Sequence, residues 1–128
     1  MPTIAEEIDA RHHFWYGLSG LRVKGAAVAV HLEAAADLMR RENWDPQLYD
    51  YSAGRQLVHA LRHTAEDGHG DDDTRYIGRQ CMELLLRRSL GAPYVDCWVW
   101  AEHRSRTLAE ITDLLMAAAL FARTHGPI

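Results

Sequence analysis

With 128 residues, 48% of them hydrophobic and 25% charged, the chain has the proportions of one ordinary globular domain, long enough to bury a core without disulfide or metal staples. Its net charge of -4, with a single lysine (Lys24) and basic pairs such as Arg40-Arg41 and Arg87-Arg88 scattered among acids, disfavours nucleic acid as a partner, because such binders gather their charge into a basic patch or stripe. The longest apolar run, 114–122, falls well short of the roughly 18 residues that suggest a membrane span, and the N-terminal stretch is acidic where a signal peptide is basic and then apolar, so a cytoplasmic protein away from the membrane is expected.

Thr3 and Glu6 have the spacing of a capping box, which predicts a first helix running to about Tyr16 and ended by Gly17-Leu18-Ser19-Gly20. From about Val23, the apolar residues Val28, Leu32, Ala35, Leu38 and Met39 follow the 3.6-residue period of a second helix reaching Arg41 or Glu42. Pro46 forces a loop after it. Ser52 is a candidate cap for a third helix that buries Leu57, Ala60, Leu61 and Ala65. The polar stretch 66–73 is a loop, from which Asp73 can cap a fourth helix carrying Ile77, Cys81, Leu84 and Leu85 and stopping at Gly91.

Residues 94–100 have strand propensity but no partner strand, so they read as a connection. Thr107 and Glu110 form the clearest capping box, opening a last helix that ends at Gly126. That helix is apolar on most faces, which makes it either the centre of the bundle or a surface for self-association. The expected fold is all-α: a single-domain bundle of four to five helices over residues 1–128. Gly54-Arg55-Gln56 and Gly78-Arg79-Gln80 open similar segments, a faint internal echo.

Cys81 and Cys97 match no zinc or redox spacing and read as buried free thiols. His59 and His63, four apart, fall on one helix face and are a candidate metal pair, although the zincin glutamate beside the first histidine is absent. A third ligand has to come from Glu102, His103 or the 66–73 loop. No phosphate-binding glycine loop or nucleophile elbow occurs, and no cofactor is implied. The aromatic residues of the inter-helix connections, Trp44, Tyr49, Tyr51, Tyr94, Trp98 and Trp100, have two readings with Glu102 and Arg106. They lid the ends of the bundle, or they form a contact patch of the residue types enriched in binding hot spots.

Leu32 to Trp44, Gly54-Arg55, and Trp100 followed by Arg106-Thr107 together resemble the pattern of an uncharacterised family of small helical proteins from actinobacteria and their phages. The resemblance covers about residues 28–123. It departs at Ala101-Glu102, where the family pattern has Asn-Asp, and at Gln56 and His59, which fall at its cysteine and glycine. It implies a structural joint at Trp100, with an aromatic plug, a bend and then a capped helix, and it implies no activity.

The reading favoured at this level is a non-enzymatic interaction or accessory protein, phage- or mobile-element-derived, with a protein partner or a second copy of itself. Two alternatives stand beside it: a small-ligand or metal-binding protein using the His59/His63 face, and a regulator or inhibitor of a host protein.

Overall fold

The structure is a computed structural model that describes residues 2–11, 13–48 and 54–128. Six helices form among them: α1 (Ile4–Asp9), α2 (Gly25–Arg41), α3 (Leu57–Glu66), α4 (Asp72–Leu90), α5 (Cys97–Glu102) and α6 (Leu108–His125). An isolated antiparallel bridge between Tyr16 and Arg22 is the sole β-type pairing in the described residues. The all-α bundle is therefore as the sequence predicts, and α5 is the helix that its periodicity does not announce. No described helix is long and apolar enough to cross a membrane.

The hub of the bundle is α2. It runs along α6 and also meets α3 and α4, while α4 packs on α6 and the short α5 lies against α3 and α4. Val28, Leu32, Ala35 and Met39 are fully buried, as are Ala29 and Ala36 beside them, so α2 is covered over a wide arc. Alanine at those positions keeps the side of the helix thin, which lets its neighbours come close. At its start the approach is backbone on backbone. The Gly25 amide donates to the Pro127 carbonyl at 2.9 Å, and a Cβ on Gly25 would lie 2.8 Å from the Gly126 Cα.

The broad apolar surface of α6 is mostly covered within the chain. Ile111, Leu115, Ala118 and Ala122 are buried, and so are Leu114 and Phe121, whereas Met116 (38% exposed) and Leu120 (67% exposed) stay outside. Of the two sequence readings of α6, the central one does not hold: α6 flanks the bundle, covered by α2 and α4, because the thin α2 occupies the middle.

The first helix ends at Asp9 instead of near Tyr16. Beyond it, bonds from the Arg11 amide to Ile8 and from the Phe14 amide to Arg11 tighten the chain into i→i+3 turns. Phe14 and Trp15 are thereby buried against Phe121, with each ring centre 6.2 Å from that of Phe121. The cap of α4 is Asp71, in a reciprocal capping box with Thr74, and not Asp73. The echo between the two Gly-Arg-Gln segments is not structural, since residues 54–56 precede α3 whereas Gly78 lies buried in the second turn of α4.

Candidate functional site

Trp44 is built into the end of α2. Asn43 takes the left-handed conformation (φ 53°), the Trp44 amide donates to Met39 O at 2.9 Å, and the Asn43 amide donates to Arg40 O at 3.2 Å. This is the Schellman closure of a helix. It turns the indole inwards, where Trp44 is 5% exposed and its Nε1 donates to Glu42 at 3.2 Å. Tyr49, Tyr51 and Ser52 lie outside the described residues.

Trp98 and Trp100 stand on α5, not in an irregular connection. The Asp96 carboxylate caps that helix by accepting from the Trp98 and Val99 amides at 2.9 and 3.3 Å. Cys97 and Ala101, four apart, are its buried face. Two links fix α5 to α4: the Cys97 amide donates to Glu83 Oε2 at 3.0 Å, and Arg79 pairs with Asp96 at 3.4 Å. A cap of this strength overrides the strand propensity of the segment.

Trp100 is half-buried, with the Arg106 guanidinium over its ring. Arg106 also pairs with Glu110 at 2.9 Å. Glu102 is exposed, and residues 103–105 form an exposed turn in which His103 Nδ1 accepts from the Ser105 amide at 3.1 Å. Trp100 and Arg106 are thus turned towards each other, while Trp98 belongs to a different surface.

His59 and His63 share a helix but not an environment. His63 is exposed, edge-on to the Trp44 ring with centres 5.8 Å apart, and 4.0 Å from Glu66. His59 Nδ1 is buried without a hydrogen-bond partner among the described residues. No group of three or more histidine, cysteine, aspartate or glutamate side chains converges on a metal-sized point among the described residues, so Glu102, His103 and the 66–73 loop bring no third ligand. Burial pushes both thiols, Cys81 and Cys97, far up from the ordinary cysteine value, which keeps them protonated and poorly nucleophilic.

The periodicity does contain a signal for one missed histidine. His31 falls at i+3 of Val28 and one residue before Leu32, on the buried stripe of α2, and it is fully buried. Its Nε2 lies 2.7 Å from the Leu61 carbonyl and its Nδ1 2.7 Å from the Thr74 hydroxyl. A carbonyl only accepts, so Nε2 carries the proton and Nδ1 accepts from Thr74. This is a satisfied core histidine.

The surface to which Trp98 belongs was not read from the sequence. A hollow of about 260 Å³ is lined by Arg62 of α3, by Arg75, Tyr76 and Arg79 of α4 and by Trp98, over an apolar wall of Leu18 and Val58. None of its lining residues is acidic. Asp72 reaches Arg75 at 3.2 Å, and Glu83 and Asp96 reach Arg79 at 3.2 and 3.4 Å, all from outside the lining. Arg62 has no ion-pair partner among the described residues. The Arg79 guanidinium also lies 5.2 Å from the centre of the Trp98 ring.

A second hollow, of about 470 Å³, is lined by His13, Tyr16, Gly17 and Gly20, and shares Leu18 and Tyr76 with the first. The two form one groove, with Leu18 63% and Tyr76 41% exposed at the junction. Asp73 fixes that junction, accepting from the Ser19 amide at 2.9 Å and from the Ser19 hydroxyl at 2.5 Å. These Ser19 bonds hold the Asp73 carboxyl below its ordinary value. The partial signal in the sequence is Arg75 and Arg79, four apart with Tyr76 between; Arg62 and Leu18 join them only through the tertiary fold.

Against this geometry, the model of a family of unknown function, DUF6197, matches residues 23–120, more than half of the chain. The chain belongs to that family. The matched stretch starts just before α2 and ends inside α6, so DUF6197 takes in Arg62, Arg75, Tyr76, Arg79 and Trp98 but not the Leu18 turn. No curated protein and no solved structure matches the chain.

Proposed function

We propose that this member of DUF6197 is a non-enzymatic binding protein, an accessory factor of the actinobacterial and phage type that the sequence pattern resembles, and that it works through the groove between Leu18, Tyr76 and Trp98. The observation that carries this reading is the junction of the two hollows. There a leucine 63% exposed and a tyrosine 41% exposed are held outward beside arginines and a tryptophan. Tyrosine, tryptophan and arginine are the side chains that dominate binding hot spots, and concave surfaces that combine aromatic walls with a few polar groups are where ligands settle.

A panel of neutral, anionic and cationic aromatic fragments, titrated onto isotope-labelled protein, tests the reading. Saturable amide shifts clustered on Leu18, Tyr76 and the Trp98 indole support it. Shifts spread evenly over the surface, or confined to the outer face of α6, overturn it.

Self-association is a second reading, with a specific ground in Met116 and Leu120, one turn apart on α6 and both exposed. Light scattering decides it. A mass of twice the 14.5 kDa chain that falls to the single chain in Leu120→Glu supports pairing through α6, and a monomer mass for the parent sinks it.

A further inference from the structure

The groove's charge specifies its ligand more closely than its shape does. Resting on the reading that this groove is the binding surface, we infer that it takes a small organic phosphate, a phosphate monoester carried on a planar ring.

On a chain with a net charge of -4, the walls of the smaller hollow reverse the sign, with three arginines and no acid. The three are not equally available. Arg79 is held by Glu83 and Asp96, and it is the arginine that approaches the Trp98 ring. Arg75 shares its charge with Asp72, a carboxylate whose side chain is 77% exposed and therefore screened by water. Arg62 has no carboxylate among the described residues. Two guanidinium groups are thus left wholly or largely uncompensated, which matches the charge of about -1.5 to -2 on a phosphate monoester at neutral pH better than the single charge of a carboxylate. Guanidinium forks bind such oxygens in bidentate fashion, which gives orientation as well as attraction.

The organic portion has its own place. At about 260 Å³ the arginine hollow lies just below the usual range for complete small-molecule sites and suits a head group. From it the groove continues past Tyr76 and Leu18 into the wider hollow of about 470 Å³, where an aromatic face and an apolar side chain already stand exposed. A planar ring attached to the phosphate lies over Tyr76 there, and the Asp73–Ser19 bonds keep the Leu18 side of that slot in position. Polymeric nucleic acid is a poor fit, since the dispersed charge of the rest of the chain offers no track for a second and third phosphate.

Calorimetric and amide-shift titrations of the intact chain with inorganic phosphate, phenyl phosphate and adenosine 5′-monophosphate test the inference. Saturable binding of a ring-bearing phosphate at the groove, at least about tenfold tighter than inorganic phosphate, is expected. Arg62→Ala and Arg75→Ala should each weaken it by about tenfold, and Tyr76→Ala should bring the ring-bearing ligand down to the affinity of inorganic phosphate. All three side chains are partly or largely exposed, so the variants keep the fold, and a melt of each variant checks this. Absence of binding by all three phosphates overturns the inference, as does binding indifferent to Arg62 and Arg75. Should neutral aromatic fragments still shift Leu18 and Tyr76 while the phosphates do not, the groove remains the binding surface and only the phosphate assignment fails.

Discussion

The Arg106 guanidinium lies 3.8 Å from the centre of the Trp100 ring, while its Nε donates to the Trp100 carbonyl at 3.0 Å. One side chain from the connection between α5 and α6 therefore holds both the ring and the backbone of a residue in the last turn of α5. Arg106 is then anchored by Glu110, whose carboxylate also accepts from the Thr107 amide in the capping box that opens α6. The joint between α5 and α6 is a closed set of contacts. It uses up the two residues that, read as sequence, look most like a binding pair.

Because Trp100 is only half-buried, Trp100→Ala should cost about 1.5–3 kcal/mol, below the ~3–5 kcal/mol of a fully enclosed ring. Arg106→Ala should cost about 1–2 kcal/mol through the lost cation–π contact and carbonyl bond. Urea denaturation of both single variants and the double variant checks this. The pair should show a coupling of about 0.5–1 kcal/mol. Strict additivity would mean that the stacking contributes nothing and that the joint is held by the Glu110 cap alone.

His31 gives the protein an acid sensitivity. Burial lowers its pKa from the ordinary 6.5, against the opposing effect of the Leu61 carbonyl. The unfolded chain therefore takes up the proton more readily than the folded one. The His31 contribution is complete above 6.5 and is lost as the pH falls from there towards the folded value. Protonation would also set a second N–H against Thr74 at the positive N-terminal end of α4. Urea midpoints from about pH 8 to about pH 5 should fall more steeply for the parent than for His31→Gln, whose amide can still bridge Leu61 and Thr74 without titrating. Parallel profiles for the two proteins would remove His31 from the account.

Gly25 should be intolerant of any side chain. A Cβ there meets the Ala122 carbonyl and the Gly126 Cα, both backbone atoms that cannot rotate away. Gly25→Ala is expected to destabilise by about 1–3 kcal/mol, although alanine is the better helix former in isolation. A thermal melt decides between the two effects. A variant as stable as the parent would mean that the ends of α2 and α6 can part at no cost.

Much of this fold is legible in the sequence, and the reason is local. Val28, Leu32, Ala35 and Met39 announce α2 by their period, and Thr107 with Glu110 announces α6 through a cap that needs only four residues. What fails to show depends on contacts between distant segments. Phe14 and Trp15 leave the first helix because Phe121, more than a hundred residues away, gives them a place to be buried. Asp73 looks like a cap because it stands beside the start of a helix, yet it is the second residue of α4 and its carboxylate is claimed by Ser19 on another turn. The groove is hidden for the same reason. Arg62, Arg75, Trp98 and Leu18 come from four segments, and only Trp98 among them stands out in the sequence, where nothing links it to the other three. The other residues that stand out, Trp44, Trp100 and Arg106, are conspicuous because closing helix ends requires large and many-handed side chains.

The most direct measurement is an amide-resolved titration of the parent and of Tyr76→Ala with a single aromatic fragment that binds the parent. The account predicts saturable shifts at Leu18, Tyr76 and Trp98 in the parent. In Tyr76→Ala the remaining groove shifts should be lost, while the melting temperature stays within about two degrees, as expected for an exposed side chain away from the core. Undiminished groove shifts in the variant, or a pattern centred on Leu120 in both proteins, would contradict the claim that this groove is where the protein binds.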